Sequence, residues 1–109
     1  MNVRLYILQR ATAALMLPLI LIHLGVIFYA TRAGLSAADI LGRTRGSWLW
    51  GGMYGLFVVC AAVHGAIGLR AVARVWLGMT GRSLDGLMWA IGAGLLLLGL
   101  RAVAAVVLP

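Results

Sequence analysis

The chain carries two histidines, His23 in LILIHLGVI (residues 19–27) and His64 in VHGAIGLR (residues 63–70), and each sits within or at the end of an apolar run. A neutral imidazole ligates a metal or a cofactor through one ring nitrogen, or it hydrogen-bonds to a neighbouring helix. Ionisable side chains are expensive in an apolar solvent, and function is the default expectation for them there. Both histidines are therefore expected to be metal or cofactor ligands, with a helix–helix hydrogen bond as the alternative.

Residues near the histidines extend the pattern. Cys60, Ala61, Ile67, Gly68 and Ala71 share the helical face of His64. Most of them are small. Such a face leaves room for a flat porphyrin and equally suits close helix packing, as does Gly51 with Gly55. Arg70 and Arg74 follow His64, where they can meet haem propionates or snorkel to lipid phosphates. Thr12, Met16 and His23 fall on one helical face, since spacings of eleven and seven are close to whole turns. Arg10 stands at the start of that segment with Tyr6 one turn earlier. Such residues anchor helices at a membrane interface, and both are also suitable donors to a quinone carbonyl. Cys60 has no partner for an internal disulfide and reads as a small core residue.

The elements that must position these groups follow from hydropathy. The 109 residues are 64% hydrophobic and 10% charged, against about 25% charged in soluble domains. All nine basic residues are arginine, and there are two acids, Asp39 and Asp85. Three segments, Ala11–Thr31, Ser47–Leu69 and Gly86–Leu108, slightly exceed the ~20 residues that cross a bilayer as a helix. The first reads as a span and not as a cleaved leader, because its apolar stretch exceeds a usual leader core. The expected fold is an all-α membrane protein of one domain, residues 1–109, with helices at about 8–31, 47–76 and 84–108. Pro18 removes one hydrogen bond and is expected to bend the first helix. In RAGLSAADILGRTRG, Ser36 is expected to cap a short interfacial helix through Leu41, with Asp39 completing a capping box. GMTGRSLDG reads as a tight polar turn, with Ser83 and Asp85 as caps of the last helix.

Arginine bias sets orientation. Arg4, Arg10, Arg70, Arg74 and Arg82 share one side, and Arg32, Arg43, Arg45 and Arg101 the other. This favours a cytoplasmic N-terminus. The net charge of +7 would suggest nucleic acid in a soluble protein. Here the arginines flank apolar runs and anchor helices at lipid headgroups, so the bilayer is the expected partner and nucleic acid is not. Measured from the cytoplasmic edge, His23 lies roughly 18 Å deep and His64 roughly 7.5 Å deep, a difference of about 10 Å at the helical rise. Two ligands of one haem iron stand about 4 Å apart, given metal–nitrogen bonds near 2.0 Å. If both histidines are ligands they serve two sites, each completed from outside this chain.

Two stretches resemble a known family. LQRATAALMLPLILIH is similar to the first helix of the cytochrome b membrane anchor of succinate dehydrogenases and fumarate reductases, which shows His-Arg-x-Ser/Thr-Gly near its cytoplasmic start. Many members add a histidine thirteen positions after the arginine, and Arg10 and His23 have that spacing. HGAIGLR resembles the second-helix motif His-x-x-x-Gly-Ile/Leu-Arg, with His64, Gly68, Leu69 and Arg70 at matching places. Gln9 stands where the family often has histidine and Ala13 where it often has glycine. A serine that often contacts quinone aligns with Tyr6.

The resemblance implies that His64 is an axial ligand of haem b and that His23 ligates the second haem of two-haem members. It makes Arg10 a quinone-site residue, with Thr12 at the family's Ser/Thr place and Tyr6 and Arg70 as further cofactor-binding candidates. It implies a non-catalytic subunit of a succinate:quinone oxidoreductase in a bacterial inner membrane. This subunit would pass electrons from an iron–sulfur subunit to quinone. Its implied partners are a flavoprotein subunit, the iron–sulfur subunit and a second hydrophobic anchor, which completes a haem-binding helical bundle. Two other classes remain open on the residues alone. One is the anchor, with or without haem b, of another quinone-linked dehydrogenase. The other is a small transporter or structural membrane subunit, although a proton-coupled exporter is expected to hold an acid within a span, and Asp39 and Asp85 both lie in connections.

Overall fold

A long apolar segment in lipid must satisfy every backbone amide internally, and a helix does so within one segment. The computed structural model describes residues 2–109, and these form α1 (Val3–Ala33), α2 (Ala37–Thr44), α3 (Trp48–Trp76) and α4 (Gly81–Val107). Of these, α1, α3 and α4 are long and apolar enough to cross a membrane. At 1.5 Å per residue α1 is about 46 Å long, which matches the 48 Å long axis of the bundle. The chain has the architecture of a multi-pass membrane protein.

Local chemistry sets the helix ends, and several differ from the sequence expectation. Asn2 caps α1 by accepting from the Leu5 N–H at 2.9 Å, so the helix starts well before the apolar stretch. Helix length follows backbone hydrogen bonding and caps, and the Asn2 cap lies outside the apolar run that marks the span. α1 continues through Pro18 and stops at Gly34, whose φ of 136° is one that side-chain-bearing residues rarely adopt. A Cβ at Gly34 would also overlap the Asp39 carboxylate. Ser36 and Asp39 form the expected capping box, but α2 runs on to Thr44 and not merely to Leu41.

The start of α4 corrects a sequence expectation. The helix begins at Gly81, after Thr80, so Ser83 lies inside its first turn and its hydroxyl donates to the Thr80 carbonyl at 2.9 Å. Asp85 lies two residues further in and is not a cap. Its carboxylate accepts from Arg70 Nη2 at 3.1 Å and Arg70 Nε at 3.2 Å.

α3 is the central helix, packed on α1 at one side and on α4 at the other. The buried residues are mostly small: Cys60, Ala62, Ala66 and Ala73 with Ile67 on α3, Ala30 on α1, and Leu84 on α4. Without a hydrophobic drive between helices in lipid, small side chains let backbones approach and gain dispersion contacts. The closest approach is at Gly99 of α4, where a Cβ would overlap the methyls of Val58. Large apolar side chains such as Leu17, Leu97 and Leu98 face outward instead. Trp48 lies near one end of the bundle and Trp76 near the other, both largely exposed, as in interfacial aromatic belts.

α2 closes one end of the bundle. The last carbonyls of a helix have no partner within it. Here Gly46 N–H donates to the Val107 carbonyl at 2.7 Å, and the Thr44 hydroxyl reaches the Val106 carbonyl. The connection between α2 and α3 thus caps α4. Arg43 ties the same region to the end of α1, donating to the Gly34 carbonyl at 3.1 Å and lying 5.4 Å from the centre of the Tyr29 ring.

Candidate functional site

His64 lies on the face of α3 that meets α1. Its Nδ1 is 3.3 Å from the Thr12 hydroxyl oxygen, and Thr12 is itself buried. The ring is half-buried. Its second nitrogen, Nε2, makes no hydrogen bond among the described residues and is not sealed inside the chain. One turn along α3, Gly68 faces the Gln9 side chain, whose Nε2 would lie 3.4 Å from a Cβ there. Gln9 Oε1 is buried and unpartnered. Gln9 thus sets an amide into the α1–α3 contact. The small-residue face around His64 is largely taken up within the chain, with Cys60 and Ile67 buried and Gly68 against α1. Of the two uses open to that face, close helix packing is the one occupied here.

His23 sits in different surroundings. Its ring is edge-on to Tyr54 at 6.0 Å and to Phe57 at 5.4 Å, and Tyr54 stacks on Trp50 at 5.6 Å. No hydrogen bond reaches it among the described residues. It opens onto a groove of about 540 Å³ between α1, α3 and α4, walled by residues such as Val58, Gly99 and Val103 and closed at one end by Arg43 and Thr44 of α2. The volume is within the 300–1,000 Å³ range of small-molecule sites. His64 follows Tyr54 and Phe57 on α3 by ten and seven residues, so the two imidazoles are separated by roughly 10–15 Å along the bundle. One iron cannot take both.

The remaining candidates separate into two further groups. Tyr6 and Arg10 are both exposed and stand one turn apart on α1. Thr12 follows Arg10 by two residues, about 200° around the helix, and points into the chain at His64. The Tyr6, Arg10 and Thr12 set is therefore split between the outer face of α1 and its interior. Arg70 engages Asp85 on α4, with side chains 16% and 57% exposed. Its guanidinium bridges two helices of this chain rather than standing free beside His64. Outside the spans, hydrogen bonds from the Ser36 hydroxyl and backbone N–H hold the Asp39 carboxyl below the usual carboxylate range.

The chain matches no family model, no curated protein and no solved structure.

Several features escaped the sequence reading. The Arg70–Asp85 pair was legible in principle: the two charges stand at similar distances from the turn at Gly78–Thr80, and antiparallel helices bring such positions level. Tyr54 and Phe57, three apart on α3, mark the aromatic wall beside His23. The burial of Gln9 Oε1 had no sequence signal, because it depends on the helix packed opposite.

The donor set suits a group held by one imidazole at a time. Among the described residues no three metal-ligating side chains gather, so this chain builds no metal cage by itself. A haem would take a single imidazole from this chain. His64 offers an Nε2 that is not fully buried, with Nδ1 beside the Thr12 hydroxyl, and His23 offers an imidazole beside an apolar groove. Both fit that requirement, each at its own level.

Proposed function

We propose that this chain is the haem b membrane anchor of a succinate:quinone oxidoreductase. The observation that carries the reading is the setting of His64: an imidazole inside a span-length apolar helix, half-buried, with one nitrogen facing a buried hydroxyl and the other not sealed inside the chain. The motif HGAIGLR around it supports the same reading. A bound haem b supplies one-electron transfer between the iron–sulfur subunit and quinone. His64 would hold it, and a second hydrophobic subunit would complete the site, since His23 is too far along the bundle to share it. His23 serves a second haem in the groove beside Tyr54 and Phe57.

Arg10 and Tyr6 present a guanidinium and a phenol on the open face of α1, where each donates to a quinone carbonyl. The flavoprotein and iron–sulfur subunits dock on the cytoplasmic side, at the end of the bundle that carries Arg10. The outward apolar faces of α1 and α4 meet lipid or the second anchor. The membrane is a bacterial inner membrane. A reduced-minus-oxidised spectrum of the purified complex tests the proposal. A b-type signal that is lost or shifted in His64→Ala is expected, and an unchanged signal in that variant refutes the ligand assignment.

A further inference from the structure

We infer that Thr12 is a positioning residue that selects the tautomer of His64, holding the proton on Nδ1 and leaving Nε2 as a free lone pair. The geometry rests on the structure alone; its consequence for haem rests on the function proposed above.

A threonine hydroxyl has one hydrogen to give. Thr12 Oγ1 lies 2.7 Å from the Leu8 carbonyl and 3.1 Å from the Gln9 carbonyl, both in its own helix. A separation of 2.7 Å is an ordinary O–H···O hydrogen bond. The hydrogen is therefore committed to the backbone of α1, and only a lone pair remains to face His64. A lone pair at 3.3 Å from Nδ1 requires that Nδ1 carry the proton. The neutral ring has one proton, so Nε2 is left as an acceptor. That is the form in which an imidazole enters a metal's coordination shell, with its other N–H held by a protein oxygen.

Burial favours this role over a quinone contact. Thr12 is 7% exposed, while Arg10 is on the outer face of α1. A quinone carbonyl at Arg10 needs a donor, and the one hydrogen of the Thr12 hydroxyl is already used inside the chain. The pairing also sets the rotation of α1 against α3.

The direct test is the ¹⁵N spectrum of the histidine-labelled full chain in lipid nanodiscs, above the pH at which imidazole protonates. The chain has two histidines, so His23→Ala assigns both. The parent chain is expected to show His64 protonated mainly at Nδ1. Thr12→Val keeps the shape and removes the acceptor, which should shift the tautomer ratio toward the Nε2-protonated form by about fivefold, the factor expected of one net hydrogen bond. Thr12→Ser should restore the parent ratio. A parent chain favouring the Nε2-protonated form, or equal ratios in all three proteins, overturns the inference. The functional consequence is read separately in the assembled complex. Thr12→Val should hold haem about tenfold or more weakly, as for the loss of other ligand-orienting partners, and Thr12→Ser should hold it normally. Equal weakening by valine and serine would mark a packing role and overturn the proposed one. Absence of b-type haem from the parent complex sinks the ligand reading and the role of Thr12 with it, while the tautomer ratio still stands or falls by itself.

Discussion

The two histidines should serve two haems, and single substitutions should remove them one at a time. Their levels make the case. His23 packs on Tyr54 and Phe57, seven to ten residues before His64 on α3, which is roughly 10–15 Å at the helical rise. Trans ligands of one iron stand about 4 Å apart, from bonds near 2.0 Å. No rotamer change closes a gap of that size. His64→Ala should therefore remove the haem nearer the Arg10 end, His23→Ala the other, and the double variant both. The assay is haem per complex by pyridine haemochrome against protein, with redox titration to tell the two haems apart. The haem ratio should halve in each single variant. A second measurement probes His23 without haem. Its ring makes no hydrogen bond among the described residues, and an unpaired polar group away from water costs about 1–3 kcal/mol. His23→Leu should stabilise the haem-free chain in lipid by about that amount while costing the complex one haem. One haem per complex, kept in full by His23→Ala, would refute the reasoning.

Gly99→Ala places a methyl on Val58, whose β-branched side chain has one favoured helical rotamer and little freedom to turn aside. Overpacking of this kind costs about 1–3 kcal/mol, and alanine's better helix propensity returns about 1. The variant should lose up to about 2 kcal/mol in detergent unfolding, the overpacking cost less the propensity gain, and Val58→Ala in the same chain should recover much of it; a stabilised Gly99→Ala would show that α3 and α4 are less closely packed than described. For Asp39, the folded-state pKa is lowered by the Ser36 hydrogen bonds, so its contribution to α2 is present above the ordinary carboxylate range and is lost as pH falls through that lowered value. Amide protection across residues 37–44 should drop on acidification below about pH 4, the unperturbed carboxylate range, and Asp39→Asn should abolish the pH dependence. Arg10→Leu should impair quinone reduction more than succinate oxidation with a soluble artificial acceptor, and an equal loss of both activities would mean that Arg10 holds the assembly together.

That the chain is helical and suited to lipid was already legible in its residues. Hydropathy over three runs of slightly more than ~20 residues leaves no other way to satisfy the backbone. The sequence also marked the capping box at Ser36 and Asp39, because that signal is local and spans four residues. The two histidines and their separate levels were legible as well, since depth along a helix is simply residue count times rise. Other features were decided only by tertiary structure, because they depend on which faces meet. Arg70 looked free for a cofactor until α4 brought Asp85 to it. Tyr6, Arg10 and Thr12 read as one set along the chain, yet the rotation of α1 against α3 turns Thr12 inward to His64 and leaves the other two outside. The small residues around His64 suited either a porphyrin or a neighbouring helix, and α1 took up much of that space. Residue types set what each group can do. The relative rotation of packed helices, fixed by contacts such as Gly68 with Gln9 and Gly99 with Val58, decides which group it does it to.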